Sequence, residues 1–180
     1  MLRADETVLV VIDVQERLLP AMWDQERLLG ALDTLLQGAA VLELPVLCTE
    51  QVPAKLGPTV APVAARLPGG TGRIEKRRFS GAEVPGFREP LEALERNTIL
   101  LCGIETHVCV FQTARDLLAL GYEVEVVSDA VSSRRERDWA LGLRRVEAEG
   151  GRVTGVEMAL LDMLGVAEGD RFRSMLSLIK

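Results

Sequence analysis

A thiol just past a glycine turn is the first group in this chain suited to covalent chemistry. The run Gly103-Ile104-Glu105-Thr106-His107-Val108-Cys109-Val110 closes an apolar stretch and opens a helical one. The first amides of a helix lack internal partners and carry the positive end of the macrodipole, so a cysteine placed there is predicted to favour its thiolate. With Thr106 as N-cap, Cys109 falls at the third helical position, within reach of those amides. The same donors suit the oxyanion of an attacked carbonyl. Periodicity alone leaves a second reading open, because Val108, Val110 and Phe111 equally suit a packed helix residue.

Two charged residues shift that balance. Asp13 ends the run TVLVVID, and Lys76 opens the cluster Lys76-Arg77-Arg78. Taken singly, each has a bland explanation as a turn cap or a surface lysine. Set beside a thiol, the ammonium would lower the thiol pKa and hold the carboxylate in place, which gives a base, a charge partner and a nucleophile. Cys48 and Cys102 lie inside apolar runs and read as inert core thiols. His107 stands two residues from Cys109, a rotation of roughly 200° along a helix, and so points away from the thiol. It is the chain's single histidine, which precludes a His-rich metal site. With no EF-hand, H-E-x-x-H, G-x-G-x-x-G or P-loop pattern, neither a metal nor another cofactor is expected.

The elements that must position these groups follow from apolar periodicity. Thr7 to Asp13 is continuously apolar and β-branched, as in a strand covered on both faces. Helical spacing runs from about Asp24 to Glu43, followed by a second strand over Leu44 to Thr49 with Pro45 at its start. Glu50 to Gly72 is rich in Pro and Gly and reads as a long functional loop with one helical turn. A short exposed strand is expected within Arg73 to Ser80, a helix over Phe87 to Arg96, a strand over Thr98 to Gly103, and a helix from Thr106 to Leu120 stopped by Gly121. Glu123 to Ser128 and Arg152 to Thr154 complete the strands, with helices over Arg134 to Glu149 and Val156 to Leu164. Alternation of this kind means βαβ units, a mainly parallel sheet of about six strands and helices on both faces. In such doubly wound sheets ligands gather at the carboxyl ends of strands where strand order reverses, which would bring Asp13, Glu50, Lys76 and Cys109 together. The apolar tail Met175, Leu176, Leu178 and Ile179 is expected to dock on the body or on a neighbour.

Size and composition bound the rest. The 180 residues fit one domain, 1–180, and 27% charged against 48% hydrophobic residues is an ordinary globular balance. No apolar run approaches the ~20 residues of a membrane span, and the amino end has no secretory pattern, so a cytoplasmic protein without membrane contact is expected. Three cysteines with no close pair give no disulfide framework. A net charge of −6 and 4% aromatics argue against nucleic acid as a partner.

Together these residues resemble the isochorismatase-like cysteine hydrolases, which include nicotinamidases and N-carbamoylsarcosine amidases. The segments that carry the resemblance are VLVVIDVQERL, CTEQVPAKLGPTV, EKRRFSG and LLCGIETHVCVFQTARDLLALGYEVEVVSDAVSSR, spanning nearly the whole chain. The TEQ…LGPT loop is most similar to the isochorismatase domain-containing proteins. The resemblance implies a three-layer Rossmann-like fold, an Asp13-Lys76-Cys109 triad, a cis peptide between Ile104 and Glu105, and an oxyanion hole from the backbone N–H groups of Glu105 and Cys109. It also implies a homo-oligomer. Nicotinamidases carry an aspartate and histidines for a metal after the second strand, where this chain has Thr49-Glu50-Gln51. True isochorismatases cleave a vinyl ether without a nucleophilic cysteine, so a retained Cys109 points away from that reaction. The expected activity is hydrolysis of an amide-type C–N bond in a small molecule through a thioester, with Gln15, Glu50, Gln51 and Phe79 lining the pocket. A catalytically silent binding module on the same fold and a redox-responsive thiol protein remain as alternative readings.

Overall fold

A computed structural model describes residues 2–180. Six strands, β1 (Thr7–Ile12), β2 (Val46–Gln51), β3 (Arg73–Lys76), β4 (Thr98–Ile104), β5 (Glu123–Ser132) and β6 (Arg152–Thr154), form one sheet. Their order is β3-β2-β1-β4-β5-β6, and every neighbouring pair is parallel. Strand order runs outward in opposite directions from β1 and β4, so the reversal falls between them.

Both faces of the sheet are covered, which explains the unbroken apolar runs. Leu9 and Val11 of β1 pack into one apolar cluster with Leu28, Leu32, Leu35 and Leu36 of α1 (Gln25–Val41), Leu160 of α7 (Val156–Leu164) and Met175 of α8 (Gly169–Ile179). Val8, Val10 and Ile12 face the other way, toward Phe87 and Leu91 of α4 (Pro85–Ala93), Ala114 and Leu117 of α5 (Phe111–Ala119), and Leu143 and Val146 of α6 (Glu136–Ala148). The period-2 alternation of a strand thus divides β1 between two cores. The carboxyl tail is the helix α8; Met175 is fully buried against the body, so this chain covers its own apolar tail.

Several boundaries differ from the sequence expectation. The loop after β2 holds two helical turns, α2 (Pro53–Leu56) and α3 (Ala61–Ala64), each with a proline in its first two positions. It is stitched to the chain following Asp13: Val60 N–H donates to Val14 O at 2.9 Å, and Glu16 N–H to Pro58 O at 3.1 Å. β5 runs four residues beyond Ser128, through a wide bulge in which Leu101 and Gly103 of β4 pair with Val126 and Val131. The bulge frees carbonyls that periodicity cannot foresee. Arg27 takes them up, donating to Asp129 O at 2.6 Å and to Val131 O at 3.3 Å while lying over the Trp23 and Trp139 rings.

Where β4 passes β1, a Cβ on Gly103 would lie 2.1 Å from Ile12 O, and the residue has φ +110. Only glycine satisfies both demands.

Candidate active site

Asp13 follows β1 at the point of strand reversal, in the left-handed region with φ 50. Its Oδ1 accepts the Thr49 hydroxyl from β2 at 2.7 Å, and its Oδ2 faces Lys76 Nζ from β3 at 2.6 Å. Both side chains are 0% exposed. Lys76 Nζ also donates to Gln51 Oε1 at 2.6 Å and to Phe79 O at 2.9 Å. A buried pair of opposite charges is favourable only when its remaining valences are satisfied, and here Thr49, Gln51 and the Phe79 carbonyl satisfy them. The Asp13 Oδ2 contact is an ion pair without regular hydrogen-bond geometry, so this is the carboxylate oxygen left open to a third group.

The thiol beside this pair is Cys109: after burial, the strongest influences on it are the charges of Asp13 and Lys76. The direction is opposite to the sequence expectation: desolvation, then the Asp13 charge, push the thiol up to about 12, and Lys76 offsets only part of this. At 7% exposure Cys109 has lost most of its water, and that loss outweighs any helix-terminus effect. Cys109 is therefore held toward the protonated thiol, beside a carboxylate.

The local helix geometry also departs from expectation. Thr106–Val110 is a π turn leading into α5; Glu105 occupies the cap position, and Thr106, fully buried, caps nothing with its side chain. The Ile104–Glu105 peptide is cis. α6 crosses the turn closely enough that a Cβ on Gly142 would lie 2.8 Å from His107 N and Thr106 C. The His107 ring turns to Ser133, with Nδ1 at 2.9 Å from its hydroxyl.

The four residues expected to line a pocket have distinct environments. Gln15 is spent on backbone: Nε2 donates to Gln51 O and Gly57 O, and Oε1 accepts from Gln51 N–H. Glu50 Oε1 accepts from the Thr59 N–H and hydroxyl, both at 2.7 Å, which pins the loop. Gln51 holds Lys76 on one side and donates to Arg77 O on the other. Phe79 presents a 53% exposed ring, while its carbonyl serves Lys76. Thr49, Ser80 and Gly142 were not singled out from sequence. Thr49 stood beside the Glu50-Gln51 pair, and strand alternation places it toward Asp13; the other two carried no signal. Among the described residues no group of three or more His, Cys, Asp or Glu is arranged to hold a metal ion, and no helix is long and apolar enough to cross a membrane.

A parallel sheet with a buried acid, lysine and thiol at its reversal point has the architecture of the isochorismatase-like hydrolases. The isochorismatase domain model matches residues 7–158, and the chain belongs to this family. It is 37% identical over 178 residues to the secreted isochorismatase effector Isc1 of Phytophthora sojae, covering 97% of this chain and 84% of that protein. It is likewise 37% identical over 174 residues to isochorismatase domain-containing protein 2 of Xenopus laevis, covering 96% and 83%. Among solved structures, the MAR1 ribonuclease of Caenorhabditis elegans superposes with a TM-score of 0.93 at 32% identity, covering 99% of this chain and 91% of that one. An octameric Escherichia coli hydrolase of unknown specificity shares the fold, with a TM-score of 0.93 at 20% identity over 99% and 88% of the two chains.

Proposed function

We propose that the protein is a cysteine hydrolase of small-molecule amides, with Asp13 as base, Cys109 as nucleophile and Lys76 as their charge partner. The observation that carries this is the buried Asp13–Lys76 pair at 2.6 Å, close enough to the Cys109 thiol for both charges to act on it. A neutral thiol needs a base at the moment of attack. Asp13 Oδ2 accepts the thiol proton as sulfur bonds to the substrate carbonyl carbon, and the Glu105 and Cys109 N–H groups receive the developing oxyanion. Each such donor is worth ~3 kcal/mol of barrier. Collapse breaks the C–N bond, and the departing nitrogen takes the proton from Asp13. A water, deprotonated by Asp13, then attacks the thioester; the acid leaves and the proton returns to sulfur. Lys76 stays paired with the carboxylate throughout.

The relative from Caenorhabditis elegans is named a ribonuclease. A net charge of −6 works against capture of a polyanion, and a fully buried acid and lysine favour a small substrate over a polymer, so nucleic acid is not proposed as a partner. A redox sensor needs an accessible, low-pKa thiol, which Cys109 is not. A cytoplasmic setting is part of the proposal. So is a homo-oligomer, which rests on family membership alone now that α8 packs on its own chain; light scattering on the purified protein tests it.

The deciding experiment screens wild type and Cys109→Ala against a broad panel of small amides and follows the Cys109 mass. A covalent acyl adduct in the wild type and its loss in the variant are expected. Turnover that survives Cys109→Ala would overturn the proposal.

A further inference from the structure

Buried polar atoms in folded proteins nearly always have a hydrogen-bond partner, and the exceptions call for a reason. Among the described residues three buried side-chain atoms have none: Asp13 Oδ2, Ser80 Oγ and Thr106 Oγ1. All three belong to the proposed site or its flanks. Asp13 Oδ2 is compensated by the Lys76 ammonium, whereas the Ser80 hydroxyl is met by nothing, on a residue only 2% exposed.

Its location is fixed from both sides. The preceding carbonyl, Phe79 O, accepts from Lys76 Nζ at 2.9 Å. The following amide, Gly81 N–H, donates to Thr113 Oγ1 of α5 at 3.0 Å. Thr113 lies four residues beyond Cys109, so the two share one side of the helix. Ala82, two residues beyond Ser80, packs in the same apolar cluster as Cys109 and Ile12. Ser80 is thus clamped between Lys76 and the helix that follows Cys109. In the proposed reaction the leaving nitrogen must come to the Asp13–Lys76 pair to collect its proton from Asp13, and Lys76 is bonded to the residue before Ser80.

The geometry points to Ser80 as the residue that selects the leaving group: its hydroxyl accepts an N–H of the scissile amide. This rests on the hydrolase reading above and narrows the substrate class to amides that keep at least one hydrogen on nitrogen. The alkoxy oxygen of an ester offers no donor at that position. A serine kept for the fold would have partners within the protein; one kept for a ligand acquires its partner on binding.

The test compares wild type with Ser80→Ala on acetamide, propionamide, butyramide and benzamide, each beside the methyl ester of the same acid. Loss of one neutral hydrogen bond lowers kcat/KM on the amides by about tenfold while leaving the esters within about threefold, so the amide-to-ester ratio falls. Thermal unfolding supplies the second readout: removing an unpartnered buried hydroxyl leaves Tm unchanged or raises it. Equal losses on amides and esters, an unchanged ratio, or a lowered Tm would each overturn the role of Ser80 while the hydrolase reading stands. Failure of the wild type on both members of every pair would remove the hydrolase reading and this inference with it.

Discussion

Replacing Gly142 with alanine tests whether α6 sets the position of the turn that carries Cys109. The added Cβ would meet backbone atoms of His107 and Thr106 at 2.8 to 2.9 Å, about 0.6 Å inside ordinary contact, and backbone cannot swing aside as a side chain would. Either α6 or the π turn must move by about that amount. Overpacking of this kind costs ~1–3 kcal/mol, offset by the ~1 kcal/mol that alanine gains over glycine within a helix. The net is a loss of ~0–2 kcal/mol, a Tm decrease of a few degrees for a chain this size. Activity is expected to suffer more, because a misplacement approaching 1 Å costs up to ~100-fold in rate. Gly30 supplies the control: it lies in α1 with nothing within 4 Å of its would-be Cβ, so Gly30→Ala should gain ~0.5–1 kcal/mol and leave activity alone. The assay pairs differential scanning calorimetry with the rate of Cys109 alkylation by iodoacetamide and turnover of the best amide found. Gly142→Ala with wild-type turnover and alkylation rate would refute the argument that this crossing positions the thiol.

Asp13→Asn should move two readouts in opposite directions. Turnover collapses for want of a base, while Cys109 alkylation accelerates because the carboxylate that raises the thiol pKa is gone; falling alkylation would contradict the assigned cause. In the wild type, alkylation of Cys109 should keep rising with pH beyond 10, where an ordinary thiol has levelled off, since only the thiolate reacts and its pKa is pushed to about 12. Lys76→Met leaves the Asp13 carboxylate buried without its cation and should cost ~3–5 kcal/mol by urea denaturation; a loss below 1 kcal/mol would show the pair is not energetically coupled to the fold. The buried thiols also set a pH dependence for stability: Cys48 and Cys109 are raised from 9.0 to about 11 and about 12, and Cys102 is raised further. The folded chain holds protons that the unfolded chain releases near pH 9, so their stabilisation is complete below that pH and is lost as pH rises toward 11 and 12. Chemical denaturation at pH 8 and pH 10.5 measures the difference, and equal midpoints would contradict it.

The sheet was legible because its central strands bury both faces and so read as uninterrupted apolar runs, with β1 and β4 the clearest cases. The helices declared themselves through spacing and through stops such as Gly121. What escaped notice was set by contacts distant in sequence. The end of β5 depends on Arg27 reaching Asp129 O and Val131 O from another helix, and the π turn depends on the backbone of α6 passing over it at Gly142. The expected thiolate failed for a similar reason: a helix terminus can be read locally, but the loss of water around Cys109 is a property of the packed molecule.

β3 is one of the two edges of the sheet, four residues long and paired to β2 alone. The lysine that balances the buried carboxylate is therefore carried by one of the least anchored strands in the molecule. Edges open at a lower free energy than the centre, through fluctuations that leave the core intact. Each such opening withdraws Lys76 from Asp13 and lets water reach the carboxylate, which undoes the site without unfolding the chain. Loss of function under heat or mild denaturant is thus separable from loss of fold, with inactivation arriving first and reversing freely on return to native conditions.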